Sequence, residues 1–383
     1  MTELLFLLLP LAFYSGWRAS GNSSRKKSLP EKRPLSDNFV KGVNFLLNEE
    51  PDKALDVFLN RPEIDEYTAE TYLLLGNLFR NRGEVDRALS VHQNLIGRAS
   101  LSREQKSTTM LALGKDFLAA GMMDRAERVF TELLQSNADD VEARQALRHI
   151  YEQTQEWQKA IEVTQAVQRL NNEDVRHLIA NYYCELADEA IEKGHLQEAN
   201  DHLAIAAANY PESSRVSVLR AGVEMLQHKP AEASQLYLAA AQDSPRLLGM
   251  IFAPMVDAYQ QAGTIDQLQD QLLSIYEQCS DVKVLEFTLR LAIEHGLSDK
   301  VKSCLPDVLE KKQLNVRSIS KALTLYNEQS IIPADQSLAL IDKAVSNHLS
   351  TQPGFQCRHC GYKMHDFLWR CPACNHWDEV AHI

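Results

Sequence analysis

Glycine and proline are scarce in this chain of 383 residues, at 15 and 13. Their scarcity disfavours an all-β architecture, which needs many tight turns. Basic charge is also in short supply, because 52 acidic residues outnumber 40 lysines and arginines and leave a formal net charge of −12. Beyond the first 35 residues no basic face stands out that would neutralise phosphates, so the sequence argues against a nucleic-acid partner.

Motifs of catalysis are missing as well. The sequence has no glycine-rich phosphate loop and no His-Glu zinc motif, and its histidines and carboxylates are scattered without catalytic spacing. What is present is a composition of 45% hydrophobic and 24% charged residues, which suits a globular body with a well-filled core. The middle of the chain is rich in helix-forming residues. We therefore expect a helical binding protein that is not an enzyme.

One long apolar run is found at the N-terminus, over residues 4–17. As a helix, residues 1–17 would span about 26 Å, close to the lower limit for a bilayer core of about 30 Å. The alternative is a secretory signal peptide, whose apolar region is typically this short. The basic segment that precedes such a region is missing, since Glu3 is the only charged side chain before the run.

Cations follow the apolar run instead of preceding it, and a basic cluster of this kind stays on the cytoplasmic side of a membrane. The cluster consists of Arg18, Arg25, Lys26, Lys27, Lys32 and Arg33. We predict that residues 1–17 are a single-pass inner-membrane anchor with the bulk of the chain in the cytoplasm. Residues 18–35 are predicted to be a flexible basic linker that lies against the membrane.

A repeated pattern begins after the linker. In three segments an aromatic residue is followed nine positions later by alanine: Phe79 and Ala88, Phe117 and Ala126, Tyr151 and Ala160. In the first two, a turn glycine lies between them, at Gly83 and Gly121. The same marker position recurs at residues 54, 88, 126, 160, 199, 233, 268 and 301. Successive markers are therefore separated by about 34 residues, a period typical of helical repeat proteins.

This period and pattern resemble the tetratricopeptide repeat, in which each unit is a pair of amphipathic helices. Neither helix can bury its apolar stripe alone, so stacked neighbours share a continuous core. The alternative, a non-repeating helical bundle, is disfavoured by eight matches in phase. We predict an all-α superhelical array over residues 36–350, with a closing helix over 334–349 and a concave surface that binds partner proteins.

Four of the seven cysteines form two C-x-x-C pairs near the C-terminus, separated by ten residues. The short spacing within each pair lets one turn aim both sulfurs at a single ion, and two such turns complete a tetrahedral site. Gly361 and Asn375 follow the pairs and tolerate the left-handed conformation that such turns need. The predicted ligands are Cys357, Cys360, Cys371 and Cys374.

Both iron and zinc suit four thiolates, so the sequence leaves the identity of the single metal ion open. Two disulfides are the alternative, but they would require an oxidising compartment, against which the predicted cytoplasmic orientation argues. The remaining cysteines, Cys184, Cys279 and Cys304, are expected to be small buried apolar residues within helices.

The metal-binding pattern, C-x-x-C-G-Y with C-P-x-C over residues 353–383, resembles rubredoxin and related zinc ribbons. Its ten-residue connection is shorter than in rubredoxins, which disfavours electron transfer and leaves the four-thiolate coordination unchanged. The segment also carries more aromatic surface than it could bury by itself, at Phe355, Phe367, Trp369 and Trp377. We expect some of these side chains to dock on the last helices of the array.

The combination of a short anchor, about nine tetratricopeptide units and a four-cysteine knuckle resembles the lipopolysaccharide assembly protein B family of Gram-negative bacteria. The likeness covers the whole chain and is carried by the stretches GVNFLL (42–47), GNLFR (76–80), RGEVDRA (82–88), EWQKAI (156–161) and YCELA (183–187). In this resemblance the four cysteines of the two C-x-x-C pairs match the metal ligands of the family one by one.

The resemblance implies a regulatory adaptor at the inner membrane, with its repeats in the cytoplasm. Such an adaptor promotes degradation of the committing UDP-acyl-GlcNAc deacetylase by a membrane-anchored AAA+ metalloprotease, and these two proteins are the implied partners. One alternative is a non-proteolytic scaffold for lipopolysaccharide synthesis and transport proteins. A redox carrier with an iron-bound knuckle is another, and homo-oligomerisation remains possible on the sequence alone.

Overall fold

The computed structural model describes residues 66–98, 101–279, 281–296 and 352–383, with a few single positions between 41 and 57. The predicted anchor (1–17), linker (18–35) and closing helix (334–349), together with Cys304, lie outside the described residues. The limits of 36–350 for the array and 353–383 for the knuckle therefore stay predictions. The chain divides into two compact units, residues 1–129 and 130–383.

Helices make up nearly all of the described chain from residue 66 to residue 296. They are α1 (Glu66–Asn81), α2 (Val85–Ile96), α3 (Arg103–Ala119), α4 (Met123–Ser136), α5 (Val141–Gln153), α6 (Trp157–Asn171), α7 (Arg176–Glu192), α8 (Leu196–Asn209), α9 (Ser214–Leu226), α10 (Pro230–Asp243), α11 (Leu248–Gln261), α12 (Ile265–Cys279) and α13 (Val282–His295). The odd-numbered helices from α1 to α11 are the first members of successive pairs, and short turns join each of them to its partner; α13 is the last helix that the structure describes before the knuckle.

The repeat markers occupy equivalent places in the structure. Side chains are completely buried at all six markers whose burial is described: Ala88, Ala126, Ala160, Ala199, Ala233 and Leu268. The aromatic residues nine positions before four of them, Phe79, Phe117, Tyr151 and Tyr259, are buried as well. Each marker lies near the start of a second helix, where a small or slender side chain lets neighbouring helices approach closely. The predicted helical repeat is therefore confirmed for the described residues.

The turn between the two helices of a pair has the same backbone geometry each time. Five residues before each marker the φ angle is positive, at Gly83, Gly121, Gly194, Gly263 and Gly296. Gln155 and His228 take this place in two other pairs, with φ of 59° and 61°. A left-handed residue ends the first helix and turns the chain towards the second. The role predicted for the turn glycines is thus confirmed, although the position does not demand glycine.

Each unit has its own apolar core. In the first unit, buried side chains of α1 and α2 pack with Ala112 of α3. In the second unit, one cluster joins α7, α8 and α9, and a larger one joins α9 to α13. In these clusters neighbouring helices of a unit share apolar contacts, so burial is distributed along the stack, as in repeat proteins.

The C-terminal knuckle, residues 352–383, contains a small antiparallel sheet, so the chain is mainly helical and not all-α. Strand β1 (Phe355–Cys357) lies between β2 (Lys363–Met364) and β3 (Val380–His382). Phe355 is paired with Met364 on one side and with His382 on the other. The extended segments next to the cysteine turns pair with each other because their backbone groups have no helix to satisfy them.

Cysteine burial agrees with the sequence at one of two described isolated positions. Cys184 is fully buried within α7, as expected, and burial raises the pKa of its thiol to about 12. Cys279 is exposed, so its expected burial is wrong. It is the last residue of α12, and a helix end faces solvent more readily than the middle of a packed face.

Among the residues that the structure describes, no helix combines the length and apolar character needed to cross a membrane. The predicted anchor falls outside this region, and the membrane assignment stays a prediction.

Candidate metal centre

Two turns of similar shape present the four cysteines. The Gly361 N–H donates to the Cys357 carbonyl at 2.9 Å, and the Asn375 N–H donates to the Cys371 carbonyl at the same distance. Gly361 and Asn375 both have positive φ, of 78° and 59°. The left-handed conformation predicted for them is therefore confirmed, and it lets each turn close behind its pair of sulfurs.

The structure brings all four predicted ligand residues together. Their sulfur atoms lie within 4.8 Å of one another. The Cys357 and Cys374 sulfurs are 3.7 Å apart, and so are those of Cys360 and Cys371. A tetrahedral ion with bonds of 2.3 Å to sulfur would set its ligands about 3.8 Å apart, whereas a disulfide needs about 2.0 Å. The arrangement is consistent with one metal ion, and the donor set fits zinc and iron alike.

The electrostatics of the cluster favour a bound cation. Burial by itself would raise the pKa of Cys371, but hydrogen bonds from the backbone N–H groups of Cys374 and Ala373 and from the thiols of Cys374 and Cys360 together outweigh it and lower the pKa to about 7. At Cys374, the His376 backbone N–H favours the thiolate, yet burial and the neighbouring thiols together raise the pKa. One thiolate forms readily, and its negative charge then disfavours ionisation of the neighbouring thiols. A bound metal ion neutralises this charge and so favours the thiolate form of all four.

Aromatic side chains of the knuckle lie against the helices of the second unit. The Trp377 ring is 6.2 Å from Trp157 of α6 and 6.1 Å from Tyr182 of α7, in edge-on contacts. Phe367 and Trp369 pack on the apolar cluster that joins α9 to α13. Edge-to-face aromatic pairs at such distances add to the stabilisation from buried area. The expected docking on the last helices is thus confirmed for Phe367 and Trp369, whereas Trp377 docks on the earlier helices α6 and α7.

Phe355 behaves differently from the other three. Its ring lies 5.6 Å from Phe367 and 5.5 Å from His382, so it packs within the core of the knuckle itself. The docked surface also extends further than expected, since it reaches from α13 back to α5 and is not confined to the last helices.

Arg215 of α9 is the most deeply buried charged group in this contact. Only 2% of the residue is exposed. The centre of its guanidinium lies 5.2 Å from the Trp369 ring and 5.7 Å from the Trp377 ring. A planar cation can stack on aromatic faces and still donate hydrogen bonds at its edge, which an ammonium cannot do equally well. Arg215 therefore joins the array to the knuckle through two tryptophans.

The edge of the same guanidinium is paired with acids of α7. Its Nη2 donates to Glu185 and to Asp188, each at 2.9 Å. Burial raises the pKa of Asp188, and the pairing with Arg215 opposes that rise. Acids of α7 thus neutralise the Arg215 guanidinium, while the faces of this group contact the knuckle. The positions of α7, α9 and the knuckle are therefore coupled.

Hydrogen bonds fasten the knuckle at its sides. Arg370 donates from Nη2 to a Glu152 carboxylate oxygen at 2.7 Å and from Nη1 to the Glu152 carbonyl at 3.2 Å. The Tyr182 hydroxyl donates to the other carboxylate oxygen of Glu152. Burial and this carboxylate both raise the pKa of Tyr182. Further along, the Asn181 amide donates to Asp378 at 2.8 Å.

The last strand, β3, is seated directly on α11 and α13. A Cβ atom added at Gly249 would lie 2.4 Å from Cδ2 and 2.8 Å from Cβ of His382, so any larger residue there would have to displace the His382 side chain. The Lys283 ammonium of α13 donates to the His382 carbonyl, and the Phe287 ring lies 5.5 Å from the His382 ring.

Most of these contacts are made by one kind of helix, and Trp157 of α6 is the exception. Glu152, Asn181, Arg215, Gly249 and Lys283 belong to α5, α7, α9, α11 and α13, the odd-numbered helices of the second unit. In the second unit, one side of these five helices is therefore contacted by the chain's own C-terminus.

Comparison with known proteins agrees with both parts of the chain. The Rubredoxin metal binding domain family matches residues 355–380, and Tetratricopeptide repeat families match 71–107, 117–182 and 184–246. Lipopolysaccharide assembly protein B of Escherichia coli (strain K12) is 34% identical over 384 residues, which cover 100% of this chain and 98% of that protein. This chain belongs to the lipopolysaccharide assembly protein B family.

A second member of the lipopolysaccharide assembly protein B family, from Haemophilus influenzae, is 30% identical over 396 residues and is covered to 98% of its length. Among solved structures, the crystal structure of MamA protein is 18% identical and covers 48% of this chain, with a TM-score of 0.34.

In this member of the lipopolysaccharide assembly protein B family, the sequence located the cysteines and missed the groups that hold the knuckle in place. Glu152, Arg215 and Arg370 carry no motif, and each is a charged residue of the kind that normally faces solvent. The surplus of aromatic side chains near the C-terminus was the one signal of a covered surface, and it led to an expected contact with the last helices only, whereas the contacts reach back to α5.

Proposed function

We propose that this chain is a non-catalytic inner-membrane adaptor that regulates lipopolysaccharide biosynthesis. In this proposal it promotes degradation of the committing UDP-acyl-GlcNAc deacetylase by a membrane-anchored AAA+ protease. The observation that carries the proposal is 34% identity to Lipopolysaccharide assembly protein B over the entire chain, array and knuckle included. A stack of helix pairs is a common scaffold for binding proteins, which suits an adaptor.

The four cysteines hold one zinc or iron ion in this proposal, and the ion's part is structural. A module of about 30 residues has too little core to fold firmly alone, so the metal supplies much of its folding energy. The ion joins the turns that follow β1 and precede β3, and the outer surface of the same module lies on α5, α7, α9, α11 and α13. Metal binding is thereby linked to the arrangement of the repeats.

The docked knuckle changes what a partner meets on the second unit. Because Arg370, Trp377 and His382 contact odd-numbered helices, a partner binds a composite surface of knuckle and repeats there. Residues 1–17 act as a membrane anchor in this scheme. The anchor raises the effective concentration of the adaptor beside a membrane-bound protease and its substrate.

The half-life of the deacetylase tests the proposal. In cells depleted of the endogenous protein, the deacetylase is expected to persist, and the wild-type chain is expected to restore its rapid loss. Cys371→Ser and deletion of residues 1–17 are each expected to restore it poorly, the first through the knuckle and the second through the anchor. Cys279→Ser is the matched control, since that cysteine is exposed and isolated.

A half-life that does not change on depletion, with a persisting defect in lipopolysaccharide assembly, would contradict the adaptor. That outcome would favour the second candidate, a non-proteolytic scaffold, which is supported by the name of the relatives, lipopolysaccharide assembly protein.

A further inference from the structure

Two histidines lie beside the four-cysteine cluster and take no part in it. His359 stands between the cysteines of the first pair, and His376 follows the second pair by two residues. Both are exposed, and their rings stack with centroids 3.6 Å apart and an interplanar angle of 19°. A ring nitrogen of each lies within 4.8 Å of the other and of the Cys374 sulfur. The three side chains thus form a second group of metal-ligating atoms.

The hydrogen bonding of His376 fixes which nitrogen is available. Its Nδ1 lies 3.0 Å from the Cys374 carbonyl oxygen. A carbonyl only accepts, so Nδ1 must carry the proton, and Nε2 is left with a free lone pair. Metal-bound histidines commonly have this arrangement, in which one ring nitrogen donates to a carbonyl and the other binds the ion.

Charge also favours a cation at this place. Four thiolates around one divalent ion leave an excess of negative charge, which attracts a second cation to the nearest open sulfur. Cys374 is only partly buried, and a thiolate sulfur keeps lone pairs after it has bound one ion. Imidazole and thiolate together suit zinc and similar borderline cations.

We propose that His359, His376 and the Cys374 sulfur bind a second divalent cation of the zinc class, with that sulfur bridging the two ions. The proposal rests on the four-thiolate site proposed above. The stacked rings direct their lone pairs in nearly parallel planes, so the exposed His359 side chain must rotate towards the ion, which exposed rotamers do rapidly, while His376 keeps its hydrogen bond to the Cys374 carbonyl. Three protein ligands leave the fourth position open to water or to a donor from another molecule.

The number of ions bound by the tag-free full chain tests this site. Protein carrying one tightly held ion is titrated with zinc in the presence of a weak competing chelator, and bound metal is then counted. We expect two ions per wild-type chain and one in the His359→Gln, His376→Gln double variant. His365→Gln is the control, because His365 is an exposed histidine of the same knuckle outside the group, and it is expected to keep two.

Cadmium-113 NMR of the cadmium-loaded protein separates the two sites directly. The wild type is expected to give two resonances, and the double variant is expected to lose one while the resonance of the four-sulfur site persists. A single ion in the wild type, two ions in the double variant, or loss of the second ion in His365→Gln would each overturn the second site. A wild type that binds no ion would instead remove the four-thiolate site.

Discussion

Arg215 shows how one side chain can hold two parts of a protein together. Its guanidinium lies between the rings of Trp369 and Trp377 and is paired with Glu185 and Asp188. A buried cation is costly unless its charge is neutralised, and here Glu185 and Asp188 neutralise it while the Nη atoms of Arg215 donate to these acids and to Asn181. The charge is therefore stable only while α7, α9 and the knuckle keep their places.

Replacement of Arg215 with alanine is expected to lower the free energy of unfolding of the second unit by about 1–3 kcal/mol, because the tryptophans lose a packed side chain and the partly exposed Glu185 and Asp188 lose their cation. Urea denaturation followed by tryptophan fluorescence measures the change, since Trp369 and Trp377 lie at the site. Arg176→Ala is the control, because Arg176 and its partner Asp174 are both largely exposed. If the two variants unfold alike, Arg215 does not hold the knuckle in place.

Residue-scale prediction from the sequence succeeded where spacing carried the information. The four cysteines and the left-handed residues after them follow a local pattern. Burial of an arginine does not, because it depends on tryptophans that lie about 150 residues further along the chain. Asp116 is a similar case: it is fully buried and paired with Arg80 at 2.8 Å and His92 at 2.5 Å, yet nothing in its local sequence distinguishes it from a surface acid.

At the scale of elements, the contact between β3 and α11 depends on the lack of a side chain at one position. Gly249 lies in the first turn of α11, where the His382 side chain fills the space that a Cβ would need. Close packing of this kind leaves little room for adjustment, so even one added methyl group has to displace the strand or the helix.

Gly249→Ala is expected to destabilise the second unit by about 1–3 kcal/mol, as overpacked contacts do, and to loosen β3 from α11. Gly222→Ala is the matched control. Gly222 lies in α9 with nothing within 4 Å of its Cβ position, so alanine there is expected to stabilise by about 0.4–1 kcal/mol. Thermal unfolding of both variants measures the difference, and equal effects of the same sign would contradict the close contact.

The elements themselves were largely predictable, and their mutual contacts were not. The period of about 34 residues located the helix pairs and their turns, because every repeat has to bury the same apolar faces against its neighbours. Gln155 and His228 show its limit, since both adopt the turn conformation without being glycine. The knuckle's strands are two or three residues long, too short for an alternating pattern to reveal them.

At the scale of the whole molecule, the knuckle joins distant parts of the chain. Arg370 of the knuckle and Glu152 of α5 are 218 residues apart in sequence. The knuckle also contacts α7, α9, α11 and α13 of the second unit. The sequence predicted that an array is followed by a knuckle. It did not predict the contact between Arg370 and Glu152, because neither residue belongs to a sequence motif. If a metal ion stabilises the knuckle, removal of the ion also destabilises helices that contain no metal ligand.

Hydrogen–deuterium exchange with and without the metal ion tests this coupling most directly. When the ion is removed by a chelator, amides of the knuckle and of α7 and α9 are expected to exchange faster, because Tyr182 and Arg215 lose their tryptophan contacts. Amides of α1 and α2, in the first unit, serve as the internal reference and are expected to keep their rates. Complete removal of the ion with unchanged exchange in α7 and α9 would contradict the account.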